Sequence, residues 1–325
     1  MHLKAIKSFA ALVFFLALFS ITAPGTAVAK EEIGKTYKCS EMRVRDPFVF
    51  ADKKTNFYYM HANDNGKGLK VYRSKDLKNW EFLGRSFTPD SDFWGKTDFW
   101  APDMFERDGK YYVIATFSRK EKNVQTPNGT HALRGSSVLI SDKPEGPYKP
   151  LINAPITPEN WMSLDATLFE EDGKLYLLYC HEWIQVCDGE IIAQEISKDL
   201  KKTIGAPRLL FKASAAPWGK KDPKSMVTDA PVVNRAEDGT LYMTWSTFGT
   251  DGKYHIGFAV SSNGKLFGEW KQSEQPLNND DGGHAMVFKT FDGKTKISYH
   301  APNSKFPERP TIKDFSVRNG KAIIE

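Results

Sequence analysis

An all-β fold of five propeller blades is what this 325-residue sequence predicts, and three observations carry the prediction. One plan recurs along the chain: an Asp or His just before a strand, an Asp-Gly turn, then a second strand rich in aromatic residues. A second motif, a Ser-Lys-Asp-Leu type of turn, repeats further out in the same units. Beyond the N-terminal stretch, no window sustains a helical period. Units recurring at this spacing, each opening with a hairpin, are the mark of radial β-repeats whose sheet faces are buried against neighbouring copies.

The first unit holds Arg45-Asp46-Pro47, the strand Phe48-Val49-Phe50, a polar turn and Phe57-Tyr58-Tyr59-Met60. The second sets Trp100-Ala101-Pro102-Asp103 before Asp108-Gly109-Lys110, and the third Asp165-Ala166-Thr167 before Asp172-Gly173-Lys174. Asp229-Ala230-Pro231 before Asp238-Gly239-Thr240 and His284-Ala285-Met286 before Asp292-Gly293-Lys294 open the fourth and fifth. Asp-Gly between β-branched and aromatic runs is a strong hairpin signal. The strands predicted inside the units include 110–117, 137–140, 174–179, 191–196, 241–247, 255–260 and 296–300. Outer turns follow at Ser74-Lys75-Asp76-Leu77 with Trp80, Ser141-Asp142-Lys143-Pro144 with Tyr148, Ser197-Lys198-Asp199-Leu200, and Ser261-Ser262-Asn263-Gly264 with Trp270. These equivalences give four strands per blade. If the units are blades, their first residues converge on one axis, which would gather Asp46, Asp165 and Asp229. Two long polar stretches, 119–133 and 213–227, read as functional loops on that same face.

Residues 1–29 read as an export signal, with Lys4 and Lys7, an apolar run from Phe9 to Phe19 and Ala27-Val28-Ala29 as a cleavage site. The mature domain would then be residues 30–325, secreted or periplasmic, with no membrane attachment after cleavage. The net charge of +5 comes from scattered Lys, and no basic stripe with interleaved aromatics argues for nucleic acid. Cys39, Cys180 and Cys187 are too few and too irregular for a disulfide scaffold or a zinc site. Free thiols and a Cys180–Cys187 bridge are the alternatives. The Asn128-Gly129-Thr130 sequon predicts only that its segment is exposed. A monomer is expected.

Three carboxylates near one axis are costly unless the site uses them, because crowding raises the pKa of at least one. A raised carboxyl can give a proton while a lower one takes one, which is the division of labour in glycoside hydrolysis. Arg45-Asp46-Pro47, Trp100-Ala101-Pro102-Asp103, Ser163-Leu164-Asp165-Ala166, Thr228-Asp229-Ala230-Pro231 and Gly282-Gly283-His284 resemble the successive blade motifs of glycoside hydrolase family 43. The resemblance covers nearly all of the mature domain. It implies a five-bladed propeller acting with inversion on pentose-containing plant polysaccharides, namely arabinan, arabinoxylan or xylan.

By position in the family motifs, Asp46 matches the general base and Asp165 the residue that orients the acid and tunes its pKa. His284 matches an axial histidine associated with a calcium ion or a water-filled channel. No organic cofactor is implied. One departure stands out: the family's acid is usually Glu followed by Gly-Pro, and here the segment is Asp229-Ala230-Pro231. Asp is shorter than Glu by one methylene, about 1.5 Å of reach. Glu182, after the strand 175–180, is the other candidate for the acid. Substrate contacts are expected from Arg45, Trp100, Asp103, Trp183 and Arg309, the last after the final blade, where pairing with Glu308 is the simpler reading. Trp80 and Trp270 are expected in the core. The missing Glu-Gly-Pro leaves a second reading, a propeller that binds carbohydrate without cleaving it. A fructan-acting propeller would need an Asp-Pro-Asn-Gly motif and a Glu-Cys acid, and neither is present.

Overall fold

The computed structural model describes residues 31–64 and 66–325; the predicted export signal lies outside them. Five antiparallel sheets follow one another along the chain. The first blade contains β1 (Thr36–Lys38), β2 (Phe48–Asp52), β3 (Phe57–Asn63), β4 (Leu69–Ser74) and β5 (Asn79–Phe87). The second contains β6 (Thr97–Arg107), β7 (Lys110–Thr126), β8 (Gly129–Ser141) and β9 (Lys149–Pro150). The third contains β10 (Ser163–Glu171), β11 (Lys174–His181), β12 (Glu190–Ile196) and β13 (Thr203–Lys212). The fourth contains β14 (Asp229–Arg235), β15 (Leu241–Phe248), β16 (Tyr254–Ser261) and β17 (Trp270–Gln272). The last contains β18 (Gly283–Lys289), β19 (Thr295–Ala301), β20 (Arg309–Arg318) and β21 (Lys321–Ile324). The five-bladed propeller is thus observed. It differs from expectation in the first blade, where β1 joins the outer edge beside β5 as a fifth strand.

Inner and middle strands are packed on both faces by neighbouring blades, so they read as near-continuous apolar runs rather than alternating ones. In β15 every residue but the last is buried. Five apolar clusters fill the five seams. Aromatic rings crowd the first, where Phe87, Phe93, Phe99 and Phe117 meet. Another, between the third and fourth blades, holds Trp218, Trp245 and Trp270. Trp80 and Trp270 are core residues as expected, and their indole N–H groups donate to the Leu77 and Leu266 carbonyls, which fixes the outer turns. In the turn at 74–77 the Ser74 hydroxyl bonds Asp76, and Leu77 takes a left-handed backbone conformation, as Leu200 does in the equivalent turn.

The ring closes without exchanging a strand. Side chains and loop backbone join the last blade to the first: Val44 N–H donates to the Glu308 carbonyl, and the Ser298 hydroxyl to that of Pro47. Arg309 donates to the Met42 carbonyl at 2.6 Å. It therefore takes part in this closure, and Glu308 pairs with Arg43 and Arg45 rather than with Arg309.

One further expectation is corrected. Residues 119–133 are mostly not a loop, because β7 and β8 continue past the blade as a long hairpin whose tip is Pro127-Asn128. The Asn128 amide is half-buried and donates to the carbonyls of Trp183, Ile184 and Lys224, so the sequon asparagine latches the hairpin to the third blade. All three cysteines are free thiols. Among the described residues no helix is long and apolar enough to cross a membrane.

Candidate active site

Each inner strand is entered through a residue in the left-handed region: Asp46 (φ 53°), Ala101 (φ 46°), Asp165 (φ 57°), Ala230 (φ 52°) and His284 (φ 56°). Asp tolerates this conformation, whereas Ala and His are held in it at a cost of about 1–2 kcal/mol each. In four blades the pairing of inner and middle strands slips directly after this point, for example between Asp229 and Val232 and between Gly283 and Met286. The kink aims the entry residues at the axis. Residues of all five blades line the small axial cavity there, among them Asp46, Asp103, Asp165, Val232 and His284.

This geometry corrects the register of one carboxylate. Asp46 and Asp165 are equivalent, but Ala230, not Asp229, shares their position. Asp229 stands one residue earlier, level with Arg45 and Trp100. The sequence resemblance aligned the motifs but could not show this offset, which depends on the backbone twist.

The N–H of the left-handed residue repeatedly donates to a side chain on the middle strand of the preceding blade. Asp165 N–H bonds the Thr116 hydroxyl at 2.9 Å, His284 N–H the Ser246 hydroxyl at 2.8 Å, and Asp46 N–H the His300 Nδ1 at 3.2 Å. In the third blade the equivalent middle-strand residue is Cys180, a weak acceptor. There the Ala230 N–H turns instead to Asp165 Oδ2 at 3.1 Å. One apolar-sized substitution thus ties Asp165 to the peptide that carries Asp229.

Asp46 is buried, and three basic side chains surround its Oδ1: His284 Nδ1 at 3.2 Å, His300 Nδ1 at 3.2 Å and Arg45 Nε at 3.8 Å. Burial works against its charge, but His284, His300 and Arg45 together outweigh that and hold the carboxyl well below the usual carboxylate range. Burial draws His284 down to about 4 against the pull of Asp46. At neutral pH the pair is therefore a carboxylate beside a neutral imidazole, with Arg45 as the permanent cation. Oδ1 nonetheless accepts no hydrogen bond from the described residues. A charged oxygen with an unused lone pair is what a base needs.

Asp229 has the opposite environment. Burial raises it to about 7, against the Tyr254 hydroxyl, which donates to Oδ2 at 2.7 Å, and against Arg45. Asp165 is likewise pushed well above its ordinary value, by burial and then by the charges of Asp229 and Asp46. Tyr254 lies parallel to His300, ring centroids 5.8 Å apart. Gly283 makes this placement feasible, since a Cβ there would meet the Tyr254 ring at 2.3 Å. Tyr254 and His300 were not singled out in the sequence. Their types, at the start of β16 and near the end of β19, carry no signal until the blades are assembled.

Glu182 is buried and engaged. Arg134 Nη1 reaches both of its carboxylate oxygens at 2.5 Å, while Nη2 reaches Asp98 at 3.3 Å. The same guanidinium lies over the Trp100 ring, 4.4 Å from its centroid. Burial raises the Glu182 carboxyl, with Arg134 opposing. Trp100 lines a cleft of about 320 Å³ that also contains Arg43, Arg45, Asp46, Lys70 and Asp98. A larger groove of about 800 Å³ lies at the other end of the inner strands, between the last two blades, and includes Glu237, Asp238 and Lys294. None of the predicted site residues borders it, whereas Arg45, Asp46 and Trp100 line the smaller cleft.

Trp183 begins a four-residue helix, Trp183–Val186, under the hairpin tip and is half-buried. Asp103 borders the axial cavity below Asp46, where burial raises its carboxyl. Trp218 packs in the core against Trp245 and His255. His284 directs Nδ1 at Asp46 and Asp165, at 3.2 and 3.7 Å. No group of three or more His, Cys, Asp or Glu side chains converges as a metal cage among the described residues. Calcium takes six to eight oxygens, so an ion beside His284 would draw most of its shell from water.

Comparison with known proteins identifies the family. The sequence profile of the glycosyl hydrolases family 43 matches residues 39–320, and the chain belongs to that family. The crystal structure of an endo-arabinase from Bacteroides thetaiotaomicron VPI-5482 is 50% identical, with a TM-score of 0.81, over 90% of this chain and 100% of that one. An extracellular exo-alpha-(1->5)-L-arabinofuranosidase of Streptomyces avermitilis is 24% identical over 94% of this chain and 64% of its own length. A beta-xylosidase of Bacillus subtilis is 25% identical over 75% of this chain and 45% of its own length. The chain thus spans less than two thirds of these two curated relatives.

Proposed function

We propose that this family 43 member is a secreted glycosidase that cleaves pentose-containing plant polysaccharides with inversion, and that Asp46 is its base and Asp229 its acid. The observation that carries the reading is the pair of unlike carboxylates. Asp46 is held charged with an unbonded oxygen, and Asp229, which feels the Asp46 charge, keeps its proton to about 7. Asp46 takes a proton from water as that water attacks the anomeric carbon. Asp229 gives its proton to the departing glycosidic oxygen. Asp165, bonded to the Ala230 N–H, orients the acid and keeps a second negative charge off it. Proton exchange with solvent then restores both carboxylates. The buried Arg134–Glu182 pair favours Asp229 as donor, because a carboxylate that holds a guanidinium at both oxygens would have to break that pair in order to pick up a proton.

Linear arabinan is the first substrate to try, given the endo-arabinase with 50% identity; arabinoxylan and xylan follow. A propeller that only binds carbohydrate would have no use for one charged and one protonated carboxylate. Any axial calcium beside His284 would be held mainly by water, so metal analysis after dialysis should find less than one ion per chain, and chelation should leave turnover unchanged. The protein acts as a monomer on this reading, which light scattering would test. The decisive experiment is sugar release by the purified protein from aryl α-L-arabinofuranoside, aryl β-D-xyloside and linear arabinan, with Asp46→Asn as control. Release that vanishes in the control supports the reading. Binding without release from any substrate would replace it with the non-catalytic one.

A further inference from the structure

The segment 302–308, between β19 and β20, is tied down at both ends. Asn303 N–H donates to the Asp281 carbonyl at 2.5 Å and Ser304 N–H to the Asp281 carboxylate at 2.8 Å. At the other end the Glu308 carbonyl accepts from Val44, and its carboxylate pairs with Arg43 at 3.2 Å and Arg45 at 3.7 Å. Between these anchors Phe306 is 63% exposed. A single exposed apolar side chain is ordinary on a protein surface and by itself means nothing. What distinguishes Phe306 is its support and its place. The Arg43 guanidinium lies 4.4 Å from its ring centroid, and Arg43 also lines the cleft that contains Asp46. Phe306, Arg43, Glu308, Arg45 and Asp46 form a continuous row of contacts from the open rim to the proposed base. A guanidinium against a ring holds the ring in place. A fixed aromatic ring offers a flat apolar area that matches the C–H face of a sugar.

We propose that Phe306, supported by Arg43, is a stacking platform for a sugar ring of the bound chain remote from the bond that is cleaved. This rests on the glycan substrate proposed above, and its ligand is a pentose oligosaccharide long enough to reach from Asp46 to the rim. The test is calorimetric titration of the Asp46→Asn protein, with and without Phe306→Ala, using linear arabino-oligosaccharides and xylo-oligosaccharides of two to six units. Phe306→Ala should weaken binding of the longest ligand roughly fivefold to tenfold, as loss of one aromatic contact would, and leave the shortest unchanged. Phe306→Trp should restore it. In the active protein, kcat/KM on the polymer should fall by the same factor while turnover of the aryl glycoside is kept. Equal binding at every length would overturn the proposal, and so would equal loss at every length, which would mean a structural role. Failure to bind any oligosaccharide would also overturn it. Aryl glycoside turnover by the unaltered protein distinguishes that failure from failure of the hydrolase reading.

Discussion

At the seam between the last blade and the first, Asp46 meets two histidines and an arginine, whereas at the seam between the third and fourth blades Asp165 meets a backbone N–H and the neighbouring Asp229. The backbone is alike in both places: a left-handed entry residue faces one blade's middle strand and opens the next blade's inner strand. The difference lies in the middle-strand residue that faces the entry. His300 accepts the Asp46 N–H through Nδ1; Cys180 accepts poorly, so the Ala230 N–H is left to a carboxylate. One repeated backbone thus yields a carboxyl held below the usual carboxylate range at one seam and carboxyls pushed above it at the other. Distinct roles in a symmetric scaffold need no new loop, only a different neighbour at an equivalent position.

The strongest break of this asymmetry is Asp46→Asn, which should lower kcat/KM by about 10³- to 10⁴-fold, the upper part of what a positioned base contributes. A loss below tenfold would remove Asp46 from the chemistry. Next in size is the contrast between Asp229→Asn and Glu182→Gln. With poor leaving groups Asp229→Asn should lose about 10²- to 10³-fold, and with activated aryl leaving groups far less, because those depart without a proton. Glu182→Gln should lose a similar small factor with every leaving group. Leaving-group dependence in Glu182→Gln instead would exchange the two roles, and azide rescue of Asp229→Gly but not Glu182→Gly would fix them as proposed.

The pH dependence sharpens the same contrast. Asp229 must be protonated and titrates at about 7, so kcat/KM should fall above about pH 7, and this limb should disappear in Asp229→Asn. Stability gives a check that is independent of activity. The folded Asp229 keeps its proton to about 7, while the unfolded chain releases it near the ordinary value of 3.8. Between those values the unfolded state binds fewer protons, so rising pH favours unfolding. Asp229→Asn lacks this penalty, and its melting temperature should exceed that of the unaltered protein by a margin that grows from pH 4 to 7. A margin that shrinks over this range would contradict the raised value. The smallest expected effect is that of Cys180→Ser, which supplies the third blade with the hydroxyl that Thr116 and Ser246 provide elsewhere. If it draws the Ala230 N–H from Asp165, the alkaline limb should move and activity should fall on the order of fivefold, as one hydrogen bond is worth about 1 kcal/mol.

Period, turns and alternation were readable in the chain because each blade is a local object. Its strands are contiguous in sequence, and its Asp-Gly turns need no partner blade. Asp46, Asp165 and the segment of Asp229 could be located for the same reason, since a strand's first residue must lie near the axis once the units form a ring. The continuation of residues 119–133 as a hairpin was less legible, because charged strands beyond a blade edge lose the apolar pattern that marks buried ones. Pairing of Arg309 with Glu308 was the simpler reading of their adjacency in sequence, but the Arg309 guanidinium donates to the Met42 carbonyl at the far end of the chain.

By itself, then, the sequence determined the number of blades, their order and that Asp46 and Asp165 open inner strands at the axis, because these follow from the pattern within each blade. Only the tertiary structure decided which carboxylate is charged. That depends on His284, His300, Arg45, Tyr254 and Cys180, which come from different blades and act through distances of a few ångströms that exist only once the ring is closed. Burial and Coulomb interactions fall off with space rather than with position along the chain.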